Sequence, residues 1–468
     1  MNDYRVEEDS LGSVRVPSDA LYGAQTQRAV ENFSISGLRM PRNFIWALGH
    51  IKSAAARANA GLGLLRNDIA DAVARAAEEV AEGKWDGHFP VDVFQTGSAT
   101  STNMNANEVI ANRAAQMLGA DIGSRKVHPN DHVNLCQSSN DIIPSAIHVS
   151  ALAQLHSLLF SALSHLHNTL LERARDCRNI VKTGRTHLMD ATPVTLGQEI
   201  DGWAYQISQS IERIESCCAR LSQLAIGGTA VGTGLNAHPD FAKSVIDILN
   251  KRTGFSFAEA ENHFAAQASP DTILELSGHL KTAASALIKI SGDLRLMNSG
   301  PAAGLGEISL PDLQPGSSIM PGKVNPVVCE SALMACAQVI GNDTTIAICA
   351  GMGAFELNTG MPLIAYGILQ SITILANAVT MLADKAVAGF TVNESHLSEL
   401  LWRNPILITG LAPKIGYDRA ADIVKRARAE KKSINEIAAE ELKMTPNEIE
   451  KLIDPLKMTG KGIIGGLL

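Results

Sequence analysis

The chain's strongest constraint is a set of long helical blocks, 145–175, 196–224, 271–297, 330–350 and 361–386, in which apolar residues recur at helical spacing. At 1.5 Å per residue, blocks of about 20 to 30 residues extend roughly 30 to 45 Å, well beyond the usual three or four turns. Helices of that length need packing partners along their whole length. Several are apolar on more than one face, as in Ile147-His148-Val149-Ser150-Ala151-Leu152-Ala153-Gln154-Leu155. Such a helix is buried within a bundle or against another subunit. The pattern predicts a mainly α protein with a central bundle of long helices, associating as a homo-oligomer. Aromatic residues make up only 4% of the chain. A core of Ala, Leu, Ile and Val lets helices approach closely, which favours helical layers over an aromatic-rich β sandwich.

Around the long blocks the texture changes twice, which predicts three domains. Residues 1–137 read as an N-terminal α-rich domain with Pro, Gly and Asn turns and one helical stretch, Ile45 to Val80. Residues 138–391 carry the long helices. Residues 392–468 change to shorter, charged helices, such as Ala420 to Lys432 and Ser433 to Leu442, with a helix-start signal at Thr445-Pro446-Asn447-Glu448. A net charge of −8 gives no electrostatic footprint for nucleic acid. Seven cysteines with no C-x-x-C pair read as reduced thiols in a cytoplasmic protein, with neither a disulfide framework nor a zinc site. The acidic start, Met1 to Asp9, lacks the apolar run of a secretory signal. The most apolar segment, Ile364 to Leu382, is interrupted by Gln370, Ser371, Thr373, Asn377 and Thr380, so it is expected to be a buried helix and not a membrane span.

Polar residues concentrate in four connections between helices. The first is Gly316-Ser317-Ser318-Ile319-Met320-Pro321-Gly322-Lys323-Val324-Asn325-Pro326, just before the block that begins near Glu330. A hydroxyl-rich loop with a cation beside a helix N-terminus suits a carboxylate, because free N–H groups and the helix dipole both favour an anion there. The plainer alternative is a Gly/Pro loop with Ser caps. The second is Gly184-Arg185-Thr186-His187-Leu188-Met189-Asp190-Ala191-Thr192-Pro193, whose lone His alone would read as a structural hydrogen-bonding residue. The third and fourth are Gln95 to Asn105 and Gln137-Ser138-Ser139-Asn140-Asp141. Runs of Ser, Thr and Asn make turns and caps, or a cradle of neutral donors for a small anion.

The Gly316 to Pro326 loop resembles the fingerprint of the aspartase/fumarase superfamily of lyases, and the other three connections match it in order and spacing. The likeness runs from Asp9-Ser10-Leu11-Gly12 and Tyr22-Gly23-Ala24-Gln25 to Ile415-Gly416-Tyr417-Asp418. Within the superfamily, Gln95-Thr96-Gly97-Ser98, Gln137-Ser138-Ser139-Asn140-Asp141, Asp190-Ala191-Thr192-Pro193 and Gly227-Gly228-Thr229-Ala230 are similar to the class II, iron-independent fumarases.

The resemblance implies the superfamily's three-domain fold with a multi-helix tetramer core, and reversible hydration of fumarate to (S)-malate through an aci-carboxylate. It implies no metal and no cofactor. By family analogy Ser317 is the base for the C3 proton of malate, and His187, oriented by Glu330, serves the leaving hydroxyl. Lys323 and Asn325 receive the developing charge. Ser98, Thr100, Ser138, Ser139, Asn140, Thr186 and Ser318 complete the substrate-binding set. Active sites are shared between chains of the homotetramer. Lys126 to Asp131 resembles an accessory dicarboxylate site, which assigns Arg125, His128, Pro129, Asn130 and Asp131; the alternative for His128 to Asp131 is a helix cap. Aspartate ammonia-lyase, or another dicarboxylate lyase of the superfamily, is the competing reading. A non-catalytic binding homologue would lack Ser317, His187 or Lys323, and all three are present.

The chain departs from the family pattern at three places. Ala302 stands where Arg is usual, Ala99 replaces a Gly, and Glu356 to Pro362 replaces a bulkier, often Arg-containing stretch. A missing Arg removes a bidentate donor. The Gly227 to Gly234 run is read as a structural loop because no strand is expected before it. His148, His156, His165 and His167 share a helix without a Cys or carboxylate cluster, which favours packing roles over metal binding.

Overall fold

A computed structural model describes residues 4–462 and is mainly α. A hairpin of β1 (Tyr4–Asp9) and β2 (Gly12–Pro17) leads into α1 (Ala24–Asn32), α2 (Arg42–Gly61), α3 (Asn67–Ala81) and α4 (Thr100–Met117). The long helices begin with α5 (Ser139–Gln154), which runs through a π-helical turn into α6 (Phe160–Asp176). A second hairpin, β3 (Val181–Thr186) and β4 (Met189–Thr195), precedes α7 (Leu196–Leu221). Then come β5 (Gln223–Leu224), α8 (Phe241–Thr253), β6 (Ala258–Glu259), α9 (His263–Ala268), α10 (Asp271–Met297), β7 (Ile308–Ser309), α11 (Val327–Ala350) and α12 (Met361–Leu382). Strand β8 (Thr391–Val392) and helices α13 (Glu394–Arg403), α14 (Ala412–Ile415), α15 (Tyr417–Glu430), α16 (Ile434–Leu442) and α17 (Pro446–Ile453) follow.

Two local expectations are corrected. The helical stretch from Ile45 to Val80 is two helices, α2 and α3, because the Gly61-Leu62-Gly63 turn places Gly63 at φ +74°, where only glycine sits without strain. The Gly227 run does follow a strand, but β5 is two residues long and pairs in parallel only with β6. It builds no dinucleotide-binding sheet.

By compactness the chain divides into two units. The first comprises residues up to 161, 210–284 and 336–376. Its N-terminal helices pack through small side chains: a Cβ on Gly49 would lie 2.7 Å from the Ala77 carbonyl oxygen, so α2 and α3 are in near-backbone contact. Along its long helices, polar groups are tied inside. Gln154 of α5 donates to the Leu369 carbonyl of α12, and Asn342 of α11 donates to Gln370 Oε1 and Ser371 Oγ at 2.9 and 3.0 Å. Each buried amide thereby fixes helix register as well as satisfying itself.

The second unit comprises 162–209, 285–335 and 377 onward. Its last helices enclose a core of Leu401, Leu407, Leu411, Ile423, Ile437 and Ile449. The start signal at Thr445 is a capping box, with Glu448 closing on the Thr445 amide at 2.8 Å and Pro446 in the first turn. Here the β3–β4 hairpin is anchored by a buried ion cluster. Lys182 lies 2.6 Å from Glu307 and 2.8 Å from Glu199, and Arg185 lies 2.5 Å from Glu307. Lys182 and Glu307 are almost wholly buried.

Helix α11 is apolar enough to cross a membrane by length and composition, as are Ser139–Asp176 and Met361–Val387. The latter two are 61% buried over their most apolar window, whereas α11 is only 33% buried. Its Cys329, Ala332, Cys336 and Val339 are buried, yet Met334 and Ile348 are 69% and 61% exposed.

Removing one partner of a buried ion pair leaves the other charge uncompensated, which typically costs about 3–5 kcal/mol. Glu307→Ala is therefore expected to lower the unfolding free energy measured by chemical denaturation by that order, and by more than Glu199→Ala, since Glu199 is the more exposed carboxylate.

Candidate active site

The sequence-predicted residues divide between the units. The first holds Ser98, Thr100, Ser138, Ser139 and Asn140; the second holds Thr186, His187, Ser317, Ser318, Lys323, Asn325 and Glu330.

Ser317 lies in a loop closed at its base. The Gly316 amide donates to the Lys323 carbonyl at 2.8 Å, and the Asn325 side-chain amide donates to the Gly316 carbonyl at 2.9 Å. A Cβ on Gly316 would lie 2.6 Å from that Lys323 oxygen, so the closure needs glycine. At the tip, Ser317 Oγ accepts the amides of Ile319 and Met320 at 3.2 and 3.1 Å. Two N–H groups aimed at one hydroxyl oxygen stabilise negative charge on it. Ser318, Ile319 and Lys323 are exposed. Glu330 sits in the first turn of α11, 3.9 Å from the Arg295 guanidinium.

His187 rides on the tip of the β3–β4 hairpin. It and Leu188 both have positive φ, +56° and +60°, the geometry of a tight hairpin turn whose twist matches the strands. Thr186, His187, Leu188 and Met189 are all exposed. The strand register shifts between Thr183 and Arg185, and a Cβ on Gly184 would lie 2.5 Å from the Thr192 carbonyl oxygen. The bulge at Gly184 and the ion cluster beneath it fix how the tip projects. Within one chain no recorded hydrogen bond joins His187 to Glu330 or to Ser317.

In the first unit, Ser138 is the N-cap of α5: its Oγ accepts the Asn140 amide at 3.2 Å and Asp141 accepts the Ser138 amide at 2.9 Å. Asp141 also accepts the amides of Gly227 and Thr229 at 3.1 and 3.0 Å, so the glycine run is fastened to this turn. Burial pushes the Asp141 carboxyl up to about 6. The Asn140 side-chain amide donates to the Ala230 carbonyl at 2.8 Å. Ser98 Oγ and Thr100 Oγ1 lie 2.7 Å apart at the start of α4. Between them Ala99 adopts φ +55°, the left-handed region, which explains why glycine suits this position. The divergent 356–362 stretch packs directly on this loop: the Met361 amide donates to the Gly97 carbonyl at 3.1 Å.

Beneath both polar turns lies a network that sequence reasoning missed. Lys52 of α2 is fully buried and donates to Asn134 Oδ1 and Gln137 Oε1, both at 2.9 Å. Asn103 and Asn107 of α4 also donate to Asn134 Oδ1, and Asn103 donates to Ser139 Oγ at 3.0 Å. Burial pushes the Lys52 ammonium down to about 7. The available signal was the run Asn103, Asn105, Asn107 in a helix, since asparagine favours caps over helix interiors.

At the accessory stretch, His128 Nδ1 accepts the amides of Asn130 and Asp131 at 3.3 and 3.1 Å, so this ring caps the π-helical turn at Pro129–Val133. That capping uses Nδ1 as an acceptor and leaves Nε2 free of it. The Arg125 guanidinium donates to the Glu8 carbonyl of β1. Of the four helical histidines, His148 lies against the Leu221 and Gln223 carbonyls and His165 pairs with Asp384 at 2.6 Å. No group of three or more His, Cys, Asp or Glu side chains able to hold a metal occurs among the described residues.

Comparison with known proteins places this geometry in context. Residues 12–341 match a family described as lyase, and residues 407–460 match a family described as fumarase C C-terminus. The chain is 52% identical over 465 residues to a class II fumarate hydratase of Xylella fastidiosa, covering 99% of this chain and 97% of that one. It is 53% identical over 463 residues to fumarate hydratase class II 2 of Pseudomonas aeruginosa, covering 99% and 100%. The structure superposes on that of class II fumarase from Schistosoma mansoni with a TM-score of 0.95, at 40% identity, covering 98% of this chain and 99% of that one.

A Cβ on Gly97 would lie 2.2 Å from the Thr359 carbonyl oxygen. Overpacking of this kind costs about 1–3 kcal/mol. Gly97→Ala is expected to lower the thermal midpoint accordingly, and Thr359→Gly, which removes only the side-chain part of the clash, should not restore it.

Proposed function

The chain belongs to the lyase family that includes the class II fumarate hydratases, and from that premise we propose how its residues interconvert fumarate and (S)-malate. It is a fumarate hydratase, a lyase acting by reversible addition of water across the fumarate double bond. The single observation that most supports our assignment of the base is Ser317 Oγ, held under two backbone amides in the loop that carries Lys323.

In the malate-to-fumarate direction, Ser317 takes the C3 proton as an alkoxide. A free serine hydroxyl is a poor base; the Ile319 and Met320 amides and the Lys323 ammonium lower the cost of its ionised form when the loop excludes water. The resulting aci-carboxylate carries two negative charges at one end, and Lys323 and Asn325 are the donors that meet them. Because that charge develops only on the way to the transition state, these contacts speed the chemical step instead of merely tightening binding. His187, with Glu330 as its orienting carboxylate, gives a proton to the departing hydroxyl as general acid. Ser98, Thr100, Ser138, Ser139, Asn140, Thr186 and Ser318 hold the carboxylates and hydroxyl in register. Arg125, His128, Pro129, Asn130 and Asp131 form the accessory dicarboxylate site in this reading, His128 using Nε2.

We further propose a homotetramer in the cytoplasm with sites shared between chains. The bare face of α11 is the surface that other copies cover, and this favours helix packing over a bilayer for the three apolar helices. The exposed His187 tip and Ser317 loop then meet partners supplied by neighbouring chains. In the functional division, 1–137 is an α-rich domain carrying substrate loops, 138–391 is the long-helix bundle with His187 and the Ser317 loop, and 392–468 is a small C-terminal helical domain.

Mixing the protein with fumarate, with and without ammonium, and following loss of ultraviolet absorbance with chiral product analysis tests the activity. Ammonium-independent formation of (S)-malate is expected; formation of aspartate only with ammonium would overturn it. Ser317→Ala should lower turnover by about a thousandfold or more with the oligomer intact, and near-normal turnover would remove Ser317 from the base role. His187→Asn should change the pH–rate profile, and an unchanged profile would count against it. Light scattering is expected to give four chains, and Met334→Asp with Ile348→Asp should dissociate them.

A further inference from the structure

Among the buried ionisable groups that the catalytic scheme leaves unused is a lysine beside the proposed substrate turn. Lys52 is fully buried in α2, yet no carboxylate lies within ion-pair distance of it among the described residues. Its two acceptors, Asn134 Oδ1 and Gln137 Oε1, are both neutral. Burying a cation with no carboxylate in direct contact is expensive, and a protein that merely needed to fill this space would do better with an apolar side chain. A buried charge of this kind beside a substrate-binding turn is a candidate for a functional role.

What the ammonium touches indicates its use. Gln137 immediately precedes Ser138, Ser139 and Asn140, the proposed carboxylate donors. Asn134 donates to the Gln137 carbonyl at 3.1 Å, while Asn103, which donates to Asn134 Oδ1, also donates to Ser139 Oγ at 3.0 Å. One cation therefore pins the frame of the Ser138–Asn140 turn and ties it to α4, whose first turn carries Thr100. The nearby negative charge is Asp141, and its carboxylate is taken up by the amides of Ser138, Gly227 and Thr229.

We propose that Lys52 is a positioning residue for dicarboxylate binding: it sets the Asn134–Gln137 amide frame behind Ser138, Ser139 and Asn140, and its unpaired charge is compensated by the substrate's carboxylate. Neutral donors in the front row orient the anion, and a buried cation behind them supplies the charge that they lack. Burial, only partly offset by the Asp141 charge, pushes the ammonium down to about 7, and an arriving anion favours its charged form.

The inference rests on the fumarate hydratase reading, and the test separates the two. Lys52→Gln keeps two N–H donors but removes the charge; Lys52→Met removes both. Each is compared with wild type for fumarate KM and kcat, and for succinate affinity by calorimetry. The expected result is that KM and the succinate Kd rise by about tenfold or more, equivalent to about 1.4 kcal/mol, while kcat stays within about threefold. A folded Lys52→Gln tetramer that binds succinate within about twofold of wild type, or that loses kcat alone, overturns the proposal. If neither variant folds, Gln137→Glu places a countercharge beside the ammonium. It is expected to weaken succinate in the same way, and unchanged binding would overturn the assignment. Failure of the wild type to hydrate fumarate overturns the functional reading itself; normal hydration with unaltered binding by the variants overturns only the role of Lys52.

Discussion

The architecture depends on burying helices that are apolar over most of their circumference. A single chain manages this for α12, whose polar exceptions are matched inside the first unit by Asn342 on Gln370 and Ser371. It does not manage it for α11, which carries comparable hydropathy but has only a third of its most apolar window buried. Apolar area of this kind exposed to water is worth about 25 cal/mol per Å² on burial, so association is the ready way to recover it. In our proposal, the tetramer follows from that imbalance.

The same constraint places polar chemistry at helix ends. Side chains along a buried helix have no freedom to vary, but the connections are outside the packing, and helix starts offer free N–H groups. Ser138 at the head of α5 spends its hydroxyl on capping while Asp141 fastens the turn to the Gly227 loop. Ser317 and His187 are handled differently: each sits on a short projecting loop with a rigid base. For Ser317 the base is the Gly316–Lys323 closure, and for His187 it is the buried Lys182–Glu307–Arg185 cluster. The projecting tips are exposed in one chain.

Legibility in the sequence followed the range of each signal. Long apolar periodicity identified the five long blocks of the central region, the first starting six residues late, and missed the shorter α8 and α9; the Thr445 capping box identified the start of α17, a local signal. The α2–α3 break was hidden, since the Ala-rich period runs across Gly61 and Gly63 and only the turn geometry separates them. The β3–β4 hairpin was hidden because Lys182-Thr183-Gly184-Arg185-Thr186 has no apolar alternation; its pairing is secured by ions and a bulge instead. The motif-bearing loops were visible as clusters of Gly, Pro and hydroxyl residues, but their meaning came from resemblance, not from spacing.

Lys52 shows the limit most clearly. In sequence it is a lysine inside an Ala-rich amphipathic helix, where a charged residue ordinarily marks the solvent face. Its burial is decided by Asn134 and Gln137, some eighty positions away, and by the asparagines of α4 that close around the same oxygen. No window along the chain contains that information. Ala99 is the converse case, a residue whose identity is local but whose consequence is conformational: a Cβ held at φ +55° between Ser98 and Thr100. Left-handed alanine is strained by roughly 1–2 kcal/mol, so the surrounding contacts must hold it there. The close fit of Thr359 and Met361 against Gly97 supplies such contacts. The departures at Ala99 and at 356–362 are thus adjacent in space, and the second stretch is what braces the loop that the first one strains.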